Sequence, residues 1–256
     1  MSNAEELKEL YDLARRALEC QAAIGHKEII LEPMAPLPET PVAVMPQPII
    51  PAIQPTLLPN LTPTIAAPEY ESLELHNQAI CNCLNCSLGH TRTKFVYGVG
   101  NPHAKIMFVG EAPGRDEDLK GEPFVGRAGQ LLNNILAAMK LTRQDVYIAN
   151  ILKCRPPENR DPQPDEMQAC FPYLKEQIRL IKPQFLCALG RIAAHGLLNT
   201  TTPLGKLRSR WHSYEGIPML VTYHPAALLR FPQYKRDVWE DMKFLMAEYE
   251  RRNENK

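Results

Sequence analysis

The sequence predicts an α/β fold, a parallel sheet covered by helices on both faces. Three observations carry this reading. Four short apolar runs, at 106–109, 146–149, 185–189 and 219–222, have the length and composition of buried strands. Each is followed by a helix-length stretch, so strand and helix signals alternate. Glycine- and proline-rich turns separate them, the richest being Gly110-Glu111-Ala112-Pro113-Gly114 with its continuation Gly121 to Gly129. A turn of this kind between a buried strand and a helix is where α/β proteins place ligands.

Taken in order, residues 1–30 read as a short amphipathic helical leader, with Leu7, Leu10, Tyr11, Ala14 and Leu18 at helical spacing. Residues 31–72 form a proline-rich linker. Eleven prolines fall between Pro33 and Pro68, too dense for helix or sheet, which predicts an extended, disordered, semi-rigid segment. The functional reading of this extension is a tether for an unidentified protein partner. The folded domain is expected over 73–256. It opens with a short helix running into Cys81-Asn82-Cys83-Leu84-Asn85-Cys86. Strand one (106–109) leads through the glycine-rich turn to a helix over 128–139, whose Leu131, Leu132, Ile135, Leu136 and Met139 share one face. Strand two ends at Asn150. A proline-rich loop, Arg155 to Pro164, precedes a helix through Ile181 that starts at Pro164-Asp165. Strand three is followed by Gly190 and a helix over 192–198. Residues 204–210 read as an exposed basic loop. Strand four ends at Tyr223-His224-Pro225, and the last helix spans 234–251.

Net charge is zero, but residues 1–78 carry a balance of −7 and residues 79–256 one of +7. A basic domain behind an acidic leader suits a polyanionic partner. No apolar run approaches the ~18 residues that span a bilayer. The N-terminus begins with Glu5, Glu6 and Glu9 and has no basic region followed by an apolar one. The expectation is a cytoplasmic protein that binds no membrane.

Two constellations carry chemistry. Glu111, Asn150 and His224 each stand just after a predicted strand. Carboxyl ends of parallel strands share one edge, so these three should converge on one crevice. The seven cysteines are an odd number with clustered spacing, which argues for a metal site over a disulfide framework. Cys83-x-x-Cys86 is half a chelate, and Cys154 with Cys170 can supply the other half. Four thiolates suit tetrahedral zinc or an iron–sulfur cluster, and the pattern does not choose. Cys81 is a less usual substitute for Cys83, and Cys187 reads as core.

These motifs together resemble the family 4 uracil-DNA glycosylases. The resemblance rests on Gly110-Glu111-Ala112-Pro113-Gly114 with Pro123-Phe124-Val125-Gly126, on Asn150-Ile151-Leu152-Lys153-Cys154-Arg155-Pro156-Pro157, and on His224-Pro225-Ala226-Ala227-Leu228-Leu229-Arg230. It covers about residues 75–245. It implies a three-layer α/β/α domain around a four-stranded parallel sheet, in a monomer. It implies a [4Fe–4S] cluster on Cys83, Cys86, Cys154 and Cys170. The implied partner is uracil-containing DNA, and the implied reaction is hydrolysis of the uracil–deoxyribose bond after the base leaves the stack.

Carried over residue by residue, the resemblance gives Phe124 the face of the uracil and Asn150 its edge. His224 donates to O2 of the departing base, and Glu111 holds or polarises the water. Gly110 and Ala112 belong to the pocket wall. Family 1 has Gly-Gln-Asp-Pro-Tyr in the equivalent turn. Here Ala112 and Gly114 replace the Asp and the Tyr, so thymine must be excluded otherwise, with Glu117 as the candidate wall. Leu228 is the candidate wedge into the DNA, Arg230 a phosphate contact, and Lys206, Arg208 and Arg210 a charged track along the backbone. Two other functions fit parts of the pattern: a uracil-DNA binder that traps without turnover, and a four-cysteine zinc module. Trapping relatives carry a basic, histidine-bearing insertion after strand two, which Arg155–Pro162 lacks.

Overall fold

A computed structural model of the chain describes residues 70–254. The leader expected over 1–30 and nearly all of the linker expected over 31–72 lie outside the described residues. The chain order is α1 (Leu73–Ile80), β1 (Val99–Gly100), β2 (Ile106–Gly110), α2 (Arg115–Lys120), α3 (Arg127–Ala138), β3 (Tyr147–Asn150), α4 (Pro164–Ile181), β4 (Phe185–Leu189), α5 (Arg191–Leu198), α6 (Leu204–Leu207), β5 (His212–Tyr214), β6 (Ile217–Thr222), α7 (Pro225–Arg230) and α8 (Tyr234–Glu254). None of the described helices is long and apolar enough to cross a membrane.

The strands form one sheet in the order β1-β3-β2-β4-β6-β5. The four expected strands are its parallel centre, β3-β2-β4-β6. The sheet has six strands and not four, because β1 and β5 add antiparallel edges. These two are only two and three residues long and mostly half-exposed. They carry no periodic signal that a sequence reading can detect, yet they cap both edges of the sheet.

The period of two decides the layers. Met107 and Val109 face one way with Tyr147, Ala149, Leu186, Ala188, Met219 and Val221, packed against Leu174 and Ile178 of α4 and Ala193, Ala194 and Leu197 of α5. Ile106 and Phe108 face the other way with Ile148, Phe185, Cys187 and Leu220, against Leu132 and Leu136 of α3 and Val238, Met242 and Leu245 of α8. Both faces are dry, which is why each strand reads as a continuous apolar run. Cys187 is a core residue, and its burial pushes the thiol far up.

Local signals act as physics predicts. α4 opens with Pro164 in its first turn and a reciprocal cap between Gln163 and Glu166. The acidic run Asp116-Glu117-Asp118 occupies the first turn of α2, where the helix dipole favours negative charge. At the carboxyl edge, register sets Gly110 beside Asn150. Main-chain bonds from Ile151 to Gly110 and from Leu152 to Glu111, both 3.0 Å, carry the pairing past the strand ends. That edge is where the polar landmarks emerge.

Candidate active site

Glu111, Asn150 and His224 do converge. They line one cavity of about 300 Å³, together with Phe124, Ala112, Gly114, Glu117 and Arg230. Gly110 lies beneath. A side chain there would run into Asn150 Oδ1 and, at 2.7 Å, into the Phe124 ring. The position demands glycine because the pocket floor passes through the space a Cβ would fill.

Phe124 is held in a left-handed backbone conformation, φ 54°. For a bulky residue this costs of order 1–3 kcal/mol and persists only where neighbours enforce it. Two side chains enforce it here. Glu117 Oε1 accepts the N–H groups of Val125 and Gly126, both at 2.9 Å. Arg143 donates to the carbonyls of Pro123 (2.7 Å) and Phe124 (3.1 Å). The result is a buried ring whose centroid lies 5.4 Å from that of His224. Glu117 therefore lines the cavity with a carboxylate already engaged in tying down the loop.

Asn150 is 2% exposed, and its Oδ1 has no hydrogen-bond partner among the described residues. A buried acceptor left unmet costs about 1–3 kcal/mol. An orphan of that kind on a cavity wall is poised for a donor brought by a ligand. His224 caps α7, with Nδ1 accepting the Ala226 N–H at 3.1 Å. This leaves the ring proton on Nε2. Burial, then the Arg230 guanidinium, lowers its pKa to about 4, so the ring is a neutral donor at physiological pH. Glu111 goes the other way. Burial, then the nearby Asp161 charge, raises it to about 7 against the opposing pull of Arg191. The cavity thus joins an aromatic plane, an amide edge, a neutral N–H donor and a carboxyl that ionises near neutrality.

Cys83, Cys86, Cys154 and Cys170 line a second, much smaller cavity with Phe95 and Tyr173. Donors meet three of the four sulfurs: Tyr173 Oη to Cys83 at 3.1 Å, Asn85 N to Cys83 at 3.4 Å, Arg92 to Cys154 at 3.4 Å, and Lys153 N to Cys170 at 3.3 Å. Cys81 instead donates to a carbonyl of its own helix, that of Gln78. Among the described residues, no group of three or more His, Cys, Asp or Glu is arranged to hold a single metal ion.

A family model described as the uracil DNA glycosylase superfamily matches residues 97–243. The chain belongs to this superfamily. Its relatives place it in the type-4 branch. It is 46% identical to the type-4 uracil-DNA glycosylase of Archaeoglobus fulgidus over 181 residues, 68% of this chain and 91% of the relative. Identity to the enzyme of the same description from Saccharolobus solfataricus is 42%, over 68% of this chain and 84% of the relative. For that of Thermotoga maritima it is 40%, over 68% and 92%.

For a glycosylase, the surface around the pocket mouth must meet DNA, and here two expectations need correction. Leu228 is 2% exposed and packs into the core beneath α7, so it is not free to wedge. Its neighbour Leu229 is 44% exposed, because one step along the helix rotates the side chain outward. Residues 204–210 are not an open loop. They begin with α6, and the Arg208 side chain is turned inward. It pairs with Asp241 at 2.8 Å and Asp237 at 3.3 Å and stacks 4.4 Å from the Tyr223 ring centroid. Lys206 and Arg210 are exposed, as is Arg230 at the cavity mouth.

The sequence reading also missed wall residues. Pro156, Asn159 and Arg160 line the cavity from the proline-rich loop. Arg160 is clamped by both oxygens of Glu166, at 2.6 and 2.9 Å. The run Arg155 to Asp161 advertised a loop but not its direction. Arg143, which fixes the Phe124 loop from 20 residues away, left no local signal.

Proposed function

We propose that the chain hydrolyses the N-glycosidic bond of uracil in DNA, the opening step of base-excision repair, with the base flipped into the 300 Å³ cavity. The orphan Oδ1 of Asn150 carries this reading. Uracil presents an N3–H donor beside an O4 acceptor, and an amide matches that order with its oxygen and its NH₂. Cytosine presents the reverse and would leave the buried oxygen unmet. Phe124 supplies the flat apolar surface on which the base lies.

In the reaction, the bond between C1′ and N1 breaks and its electron pair goes to the uracil ring. His224 donates through Nε2–H to O2, where that charge accumulates, and as a neutral group it does so without giving up its proton. The sugar becomes cation-like, and Glu111, ionised, favours that charge and orients the water that adds to C1′. Ala112 and Gly114 keep the approach to the ring open. Glu117, on the cavity wall, is the edge that thymine's methyl group meets, and the same carboxylate ties down the Phe124 loop. Leu229 takes the wedge role, Arg230 a phosphate at the mouth, and Lys206 and Arg210 more distant phosphates.

The four cysteines fit a [4Fe–4S] cluster. They share one cavity, and the surrounding N–H and O–H donors suit thiolate sulfur carrying negative charge. The cluster would tie the segment after α1 to the loop after β3. Its role is structural, with no part in bond cleavage.

Incubation with a single-uracil oligonucleotide should leave an abasic site that alkali cleaves. An intact strand after exposure to folded protein would overturn the proposal. Iron and acid-labile sulfide near four each per chain should accompany activity, whereas zinc in their place would refute the cluster assignment.

A further inference from the structure

One buried charge lies outside the chemistry above. Lys153 is fully buried, with 0% of its surface exposed. Its Nζ donates to the main-chain carbonyl of Asn150 at 2.8 Å and to Gln177 Oε1 at 2.5 Å. Both partners are neutral oxygens. No carboxylate among the described residues forms an ion pair with it. Gln177 is itself buried and fixed by the Tyr97 carbonyl at 2.9 Å. The main-chain N–H of Lys153 donates to Cys170 Sγ, its carbonyl accepts from Val96, and its chain neighbour is Cys154.

An ammonium taken out of water without a counter-charge costs several kcal/mol. A neutral residue would fill this space more cheaply. What the position offers is adjacency to two groups at once, the uracil reader and the cysteine set. A cluster held by four thiolates is a net anion, and two of those thiolates would belong to Cys154, the next residue, and to Cys170, whose sulfur the Lys153 main-chain N–H meets at 3.3 Å.

We infer that Lys153 is a positioning residue that joins the two sites. Its ammonium fixes the carbonyl of Asn150, and hence the reader's side chain, while serving as counter-charge to the anionic metal–thiolate group held by Cys83, Cys86, Cys154 and Cys170. The short run from Asn150 to Cys154 is then one device, in which the cluster keeps a buried cation in place and the cation keeps the amide in register. This inference rests on the iron–sulfur assignment, so iron and sulfide are measured first on the wild-type protein. Iron-free wild-type protein defeats that assignment, whereas the outcomes below concern Lys153 alone.

The decisive variant is Lys153→Met, similar in length and without charge, studied as full-length cluster-loaded protein. Film voltammetry should show the cluster harder to reduce, by at least tenfold in the reduced-to-oxidised ratio at fixed potential, which is about 59 mV for one electron. Single-turnover uracil release should fall at least tenfold, while affinity for DNA carrying an abasic-site analogue changes less than twofold. A merely space-filling lysine would leave the potential unmoved. If K153M does not retain its cluster, Gln177→Glu decides: it gives the ammonium a carboxylate partner with little change in size, and should lower the potential in the same direction. A cluster potential that stays at the wild-type value in every variant that loads overturns the inference.

Discussion

The pocket proposed for uracil and the four-cysteine cavity lie a few residues apart along the loop after β3, and they are built on opposite plans. The pocket is open, about 300 Å³, and stores unfavourable local features: an orphan acceptor on Asn150, a left-handed Phe124, and a carboxyl on Glu111 raised to about 7. The cysteine cavity is tight, and donors from Arg92, Tyr173, Asn85 and Lys153 meet three of its four sulfurs. The first is left unsatisfied until a ligand arrives. The second is satisfied from within and pins segments together. Substitutions should therefore separate: those in the pocket cost mainly rate, and those of the cysteines themselves cost mainly stability.

The largest effect tests this separation. His224→Leu should lower kcat by roughly 10²–10³-fold, as loss of a donor to developing charge does, with a melting temperature close to wild type. Cys154→Ser should do the reverse. It should destabilise by roughly 3 kcal/mol or more, about 6–12 °C in Tm for a domain of this size, and the rate of the surviving folded protein should fall by far less than that of His224→Leu. Equal losses of stability in both variants would erase the distinction.

Next in size are the corrected surface residues, followed by stability and by activity on duplex. Arg208→Ala should cost about 3–5 kcal/mol because it leaves the buried Asp241 uncompensated. Leu228→Ala should cost about 2–5 kcal/mol as a core truncation. Leu229→Ala should leave stability within about 0.5 kcal/mol, but slow excision from duplex more than from single strands. A stable L228A with a duplex-specific defect would return the wedge to Leu228.

The pH profile is a gentler probe. A raised carboxyl is protonated below its pKa, so single-turnover excision should climb about tenfold per pH unit below about 7 and level above it. His224, lowered to about 4, stays neutral throughout and adds no limb between pH 5 and 9. Glu111→Gln should be slow and flat across that range; a rising limb that survives the substitution assigns it to another group. The smallest effect belongs to Lys206→Ala, which should weaken DNA binding uniformly across sequences and reduce the salt slope by about one.

Much of this was legible in the sequence. Strands buried on both faces announce themselves as apolar runs, and parallel topology brings their ends to one edge, so Glu111, Asn150 and His224 could be grouped without coordinates. The motifs supplied the chemistry that topology could not. What stayed hidden depended on direction or distance. Leu228 and Leu229 are indistinguishable until the helix phase is known. Arg208 looks like any basic-loop residue until Asp241, 33 positions on, is seen to face it. The edge strands are too short for periodicity. Lys153 sat inside a motif already noted, but nothing in the run told that its side chain turns inward to Asn150.

The central claim is that Asn150 reads the edge of a flipped uracil. Asn150→Asp tests it most directly, on oligonucleotides carrying uracil or cytosine at one position. Uracil release should fall by roughly 10²-fold or more, the ~3 kcal/mol scale of a buried mismatched group, and release of cytosine should become measurable. An unchanged preference for uracil, in a variant that folds like wild type, would contradict it.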